Sequence, residues 1–174
     1  MPTTDTAPST ASATSISLGQ IEVRRSSALF MCPGLGSCLG IVALDRAASV
    51  SGAAIIMLPQ SAGSSDHPGR YANLAVKDLV EQMVAEGAQI ERIQLAIAGG
   101  ARVFRGTGQA GEALDIGGRN TLAVLSAIGS LELNCVAQDT GGELARTLAM
   151  DSSTGRVTVK STCGGEKLLC NLGE

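Results

Sequence analysis

Two apolar runs lie close together in the first third of the chain. Leu39 to Leu44 is unbroken and ends on Asp45-Arg46, and Val50 to Leu58 follows until Pro59 stops it. Runs of this length bounded by turn formers fit strands buried on both faces. Upstream, residues 18–31 (LGQIEVRRSSALFM) hold two shorter β-prone runs. After the polar loop 60–69 the period changes. From Tyr71 to Glu86, Leu74, Leu79 and Met83 recur at helical spacing with charged residues between them, and Gly87 closes the segment. That is an amphipathic helix with a glycine stop. Ile93 to Ala98 reads as a further buried strand, followed by Gly99-Gly100 and a glycine-rich loop through Gly118. A second helix is expected from about Asn120 to Ser130. Three β runs follow (Asn134–Gln138, Leu144–Met150, Arg156–Lys160), separated by Asp139-Thr140-Gly141-Gly142 and Ser153-Thr154-Gly155. Strands bracketing two main helices, with a β-rich end, predict a layered α/β sandwich. Its sheets are mixed or antiparallel, in one domain, and not an alternating doubly wound array.

Composition narrows this picture. A chain of 174 residues, 44% of them apolar, can close one real core. With only Phe30, Phe104 and Tyr71 as aromatics, that core is built from Ala, Val, Ile, Leu and Met. A net charge of −3, no basic run and almost no stacking rings argue against a nucleic-acid surface. No apolar stretch approaches the roughly 20 residues of a membrane span, so no membrane insertion is expected. Residues 1–16 are rich in Thr, Ser and Ala, with neither a basic start nor an apolar centre. They read as a flexible tail and not a secretory signal, which sets a cytoplasmic expectation. The domain itself is placed at 17–162, with 163–174 as a C-terminal tail. The five cysteines form no Cys-x-x-Cys repeat, so neither a zinc site nor a disulfide framework is expected, and no cofactor. Most read as small buried hydrophobes, and Cys163 and Cys170 in the tail as surface thiols.

The most informative turn is Gly34-Leu35-Gly36-Ser37-Cys38, directly before a buried strand. Two readings of Cys38 stand side by side. It is a small core residue starting a strand, or a nucleophile that glycines leave open to a ligand, with backbone N–H groups of the turn facing an oxyanion. His67 is the only histidine. It is either a solvated loop residue beside Pro68 or a base folded over Cys38, which requires an approach within about 3 Å. Cys32 is a possible redox partner for Cys38. Gly106-Thr107-Gly108-Gln109-Ala110-Gly111 has a Gly-x-Gly-x-x-Gly spacing but does not open a helix after a strand, so it is not read as a dinucleotide site. Asp115, Asp139 and Glu143 are scattered among turn residues and make no metal cluster; Asp139 is expected to cap the Gly141-Gly142 turn.

Seven short segments, in order, resemble the CheD family of chemoreceptor glutamine deamidases over residues 18–162. Gly36-Ser37-Cys38 is similar to the segment carrying the family nucleophile, Met57-Leu58-Pro59 to its Met-Leu-Pro, and Arg70-Tyr71 to its Arg/Lys-Tyr. Gly99-Gly100-Ala101, Gly117 with Arg119-Asn120, Asp139-Thr140-Gly141-Gly142 and Thr154-Gly155-Arg156-Val157 continue the series. The resemblance implies an α/β sandwich and a cysteine amidohydrolase that converts glutamine side chains of methyl-accepting chemotaxis receptors to glutamate. It also implies receptor cytoplasmic helices, and a CheC-like phosphatase, as partners. The family histidine stands two positions before the Met of Met-Leu-Pro, where this chain has Ile55. The family threonine six positions before the nucleophile is Cys32 here. Three functions follow as expectations: a deamidase with a displaced base, a CheD-like binding protein without catalysis, and a thiol redox or sensor protein.

Overall fold

The computed structural model describes residues 13–63, 66–104 and 106–174. The apolar runs become the centre of a five-stranded sheet. Its strands are β2 (Ile21–Arg24), β4 (Leu39–Asp45), β5 (Val50–Ile56), β6 (Gln94–Gly99) and β7 (Asn134–Thr140), in the order β2-β5-β4-β6-β7. A second sheet holds β1 (Ala13–Ser15), β3 (Leu29–Leu35), β8 (Arg146–Asp151), β9 (Arg156–Ser161) and β10 (Glu166–Asn171), ordered β1-β3-β8-β9-β10. Only the pairs β6–β7 and β1–β3 run parallel. Three helices complete the described residues: α1 (Ala72–Ala85), the short α2 (Gly108–Ala113) and α3 (Ile116–Ser130).

Every residue of β4 and β5 is buried, because each face of this sheet is covered. Successive side chains alternate between faces. Leu39, Ile41, Ala43, Ala54 and Ile56 therefore meet Val76, Leu79 and Met83 of α1 and Val124 and Ile128 of α3. Val42, Leu44, Ala53 and Ile55 turn the other way and pack with Phe30, Leu35, Leu148 and Met150 of the second sheet. The result is three layers, helices on sheet on sheet, as the sandwich reading expects.

The scarcity of aromatics has a structural counterpart between the sheets. Gly40, Ala53, Ala96 and Ala98 leave room on one sheet that Leu35, Leu148 and Phe30 fill from the other. A Cβ on Gly40 would lie 2.8 Å from Leu35 Cδ1 and 3.2 Å from Cys32 Cβ. Small-against-large packing holds the two sheets close, and a bulkier residue on the small side would push them apart.

Four boundaries differ from the sequence expectation. The turn read over 32–38 is shorter, because β3 continues to Leu35. A bulge between Cys32 and Leu35 absorbs Pro33, which could not donate to a regular ladder. The loop read through Gly118 ends sooner: α3 begins at Ile116, with the Asp115 carboxylate accepting from the Gly118 N–H at 2.9 Å. Residues 13–15, inside the expected N-terminal tail, pair with β3; residues 1–12 lie outside the described part. Residues 166–171, inside the expected C-terminal tail, pair with β9, and Leu172 after them is fully buried. Cys170 is accordingly half-buried, while Cys163 is exposed as expected. No helix among the described residues is long and apolar enough to cross a membrane.

Candidate functional site

Three residues, Gly36-Ser37-Cys38, link β3 to β4 and so carry the chain from one sheet to the other. Each of their carbonyls is held. Gly36 O accepts from Ala101 N–H at 2.7 Å and Cys38 O from Gly100 N–H at 2.9 Å. Ser37 O accepts from the side-chain amide of Asn120 at 2.9 Å, and the same nitrogen donates to Met57 O at 3.0 Å. Gly99, at φ +115°, lies so close that a Cβ there would stand 2.3 Å from Cys38 O. Only glycine fits at that position. The peptide plane fixes N–H opposite to the preceding C=O. Pinning Ser37 O on Asn120 therefore turns the Cys38 N–H away from Asn120. Among the described residues, the N–H groups of Ser37 and Cys38 have no hydrogen-bond acceptor.

The Cys38 side chain is half-buried and packs on the inter-sheet cluster that contains Cys32, Leu35 and Ile55. Burial pushes its thiol above the ordinary cysteine value, and no cation or hydrogen bond works against that. Ile55 is directly opposite Gly40 across the β4–β5 pair, which makes Cys38, two residues earlier on β4, its diagonal neighbour on one face. Diagonal neighbours are roughly 7 Å apart, within reach of an imidazole placed at position 55. Isoleucine at that point is fully buried and offers no proton acceptor.

Cys32 is also fully buried, with its sulfur 4.0 Å from Ala54 O, and burial drives its thiol up to about 12. His67 stands on the loop after β5. It is exposed and leads into a 3₁₀ turn, Pro68–Arg70, which rests on Gly19 at the β2 side of the sheet. Sheet order places β5 between β2 and β4. The same turn also bonds the end of β5, with Arg70 O accepting from Met57 N–H at 3.0 Å and from Leu58 N–H at 2.9 Å. Gly34, at φ +64°, and Gly36, against Val103, form the outer wall of the turn.

Asn120 and Arg146 escaped the sequence reading as site residues. Asn120 is fully buried and ties the Cys38 turn to the end of β5, with its own Oδ1 left without a partner. Arg146 acts one layer out. Its guanidinium, largely buried, donates to Asp139 O at 2.7 Å, to Leu144 O at 3.2 Å, and also to the Asp139 carboxylate and to Gly141 O. Asp139, expected to cap the glycine turn, is taken instead by Arg146 and by Lys167 at 2.5 Å. The turn so held then bonds the strap behind Cys38: Gly141 N–H to Gly99 O at 3.0 Å and Arg102 N–H to Gly142 O at 2.8 Å. The sequence shows Asn120 as part of the segment Gly117 with Arg119-Asn120 and Arg146 as a polar residue near glycines; no local signal marks their carbonyl partners.

Replacing Asn120 with leucine leaves two carbonyls without a donor and also removes the unpartnered Oδ1. The expected net loss is about 2 kcal/mol, measured by urea unfolding. Faster alkylation of Cys38 in the folded variant should accompany it, since the turn loses its anchor.

A half-buried thiol on a glycine-walled turn between the two sheets of an α/β sandwich, with Ile55 buried diagonal to it, is what the fold places at this point. The chain belongs to the CheD family: the family model described as CheD chemotactic sensory transduction matches residues 57–161. The chain is 39% identical over 153 residues to the chemoreceptor glutamine deamidase CheD of Thermotoga maritima, covering 88% of this chain and 94% of that protein. It is 37% identical over 155 residues (87% and 93%) to a protein of Symbiobacterium thermophilum named probable chemoreceptor glutamine deamidase CheD. A Geobacillus kaustophilus protein of the same name is 33% identical over 156 residues, covering 88% and 94%.

Proposed function

We propose that this CheD-family protein binds the cytoplasmic helices of methyl-accepting chemoreceptors, in the cytoplasm, without turning over their glutamines. The observation that carries this reading is the fully buried Ile55 diagonal to Cys38. Deamidation needs a thiolate to attack the side-chain amide carbon, a proton for the departing ammonia, and water to release the acyl-enzyme. The turn supplies a thiol and unpaired N–H groups, but its neighbours raise the thiol instead of ionising it. Absence of general acid–base help lowers rate by roughly 10²–10⁴. The redox reading draws less support, because a Cys32 thiol at about 12 is almost wholly protonated near neutral pH. A CheC-like phosphatase is the second partner of this reading.

Binding separates from chemistry in a direct test. A fluorescent cytoplasmic fragment of a chemoreceptor is titrated with this protein and with Cys38→Ala, and anisotropy gives both affinities. Equal, saturable affinities support the binding role. No saturable binding by either protein would remove it.

A further inference from the structure

The end of the sandwich far from Cys38 holds a cavity of about 170 Å³ between the two sheets. Six serines line it, together with Leu44 and Arg46: Ser26 and Ser27 before β3, Ser49 and Ser51 at the start of β5, and Ser152 and Ser153 after β8. None of these residues belongs to the Cys38 site, and no resemblance segment covers them apart from the edge of the β8–β9 turn. Serines are common in turns, so their number alone decides nothing. Two further observations do.

The first is Ser51, which is 1% exposed with a hydroxyl that has no hydrogen-bond partner. A hydroxyl buried without a partner is costly, and such groups are normally paired with protein or with a bound polar group. Ser51 sits on the inter-sheet face of β5, two and four residues before Ala53 and Ile55, so it belongs to the wall between the layers. The second is the state of Arg46. Its guanidinium donates to three main-chain oxygens, Ser153 O at 3.5 Å, Thr154 O at 2.6 Å and Leu172 O at 3.1 Å. A guanidinium has five N–H donors, so two remain. Among the described residues no ion pair involves Arg46. Its charge is thus anchored by neutral carbonyls and not neutralised. Nearby, Ser152 Oγ accepts from Ala28 N–H at 2.8 Å and keeps its own proton, while Ser153 Oγ donates to Asp151 at 2.6 Å.

We infer that this serine-lined cavity binds a small tetrahedral oxyanion, a phosphate or the phosphoryl group of a small phosphate monoester. Hydroxyl protons and an unneutralised guanidinium supply donors and no competing carboxylate lines the wall, which is the chemistry of phosphate recognition. At about 170 Å³ the cavity has room for one such group together with a few waters, each of which occupies about 30 Å³ in the liquid. The inference does not rest on the proposed function, because it concerns the opposite end of the sheets.

The test is isothermal titration of the full chain with inorganic phosphate, and separately with glycerol phosphate, each against sodium chloride at matched ionic strength. Saturable heat with phosphate, and none with chloride, is the expected result. Binding of both phosphates assigns the site to the phosphoryl group; binding of inorganic phosphate alone assigns it to the free anion. Ser51→Ala is expected to weaken phosphate about tenfold, the loss of one hydrogen bond to a charged group. Without phosphate, Ser51→Ala should unfold at the wild-type temperature or above, since it removes an unpartnered hydroxyl. That variant also controls for general salt stabilisation, which it shares with the wild type. Equal heats for phosphate and chloride, or undiminished phosphate binding by Ser51→Ala, would overturn the inference.

Discussion

Ile55→His is expected to raise glutamine-to-glutamate conversion on a chemoreceptor fragment by roughly 10²–10⁴ over the parent chain. The geometry for this gain is already present. Position 55 is the diagonal neighbour of Cys38 on one face of the β4–β5 pair, and Gly40 directly opposite leaves no side chain of β4 between them. An imidazole there can take the thiol proton and return it to the departing ammonia. A neighbouring imidazolium also stabilises the thiolate, so the pH midpoint for alkylation of Cys38 by iodoacetamide should fall in the variant. The price is stability: a partly unsatisfied imidazole in the inter-sheet core costs about 1–3 kcal/mol. Adding Cys32→Thr offers a hydroxyl to the second ring nitrogen and should improve turnover further. A folded Ile55→His protein with an unchanged alkylation profile would mean that position 55 does not face the thiol.

Arg146→Met is expected to give the largest loss of stability, about 3 kcal/mol, read as a lower urea midpoint. Methionine keeps the volume and the apolar contacts but drops every donor. Asp139 O, Gly141 O and Leu144 O then lose their partner, and the Asp139 carboxylate keeps only Lys167. That surviving ion pair places the loss at the lower end for a broken buried pair. The effect should travel inward, because the same turn bonds Gly99 and Arg102 behind Cys38. Faster amide exchange at Gly141 and Arg102 is the local readout. The pH dependence has a definite sign. Burial raises the Asp139 carboxyl, but Lys167 and Arg146 more than offset this and hold it below the ordinary value. A depressed native value contributes stability above the unfolded value, near pH 4, and this is lost as pH falls through the native one. In Arg146→Met that acid-side loss should be smaller, since less of the depression remains.

Legibility in the sequence followed burial and range. β4, β5 and β6 were visible because a strand covered on both faces is apolar at nearly every position, the exceptions being Asp45, Ser51 and Gln94 near their ends. α1 was visible because one of its faces meets solvent, which writes a helical period. β1 and β10 were not: both are short edge strands of mixed composition, and only their pairing with β3 and β9 makes them strands. The start of α3 was hidden by Gly117-Gly118, poor helix formers. Gly117 is required there, because a Cβ would stand 2.3 Å from Ala101 O. Cys38 could be read from its flanking glycines and from the family segments around it. Asn120 lies in one of those segments, but its role could not be read from it, because its partners Ser37 and Met57 are 83 and 63 residues away. Arg146 looked like an ordinary strand residue until its carbonyl partners were placed around it. Cys38 and Ile55 were thus legible along the chain, while Asn120 and Arg146, which act through long-range bonds around the Cys38 turn, became visible only in the fold.

The most direct measurement is mass spectrometry of a glutamine-containing chemoreceptor cytoplasmic fragment after incubation with the parent protein, with Cys38→Ala alongside. Each conversion of glutamine to glutamate adds about one dalton, set by the exchange of NH₂ for OH that the thiol mechanism performs. No more conversion by the parent than by Cys38→Ala is the expected result. Conversion that depends on Cys38 in the parent chain would contradict it, and would mean that a group other than residue 55 acts as the base.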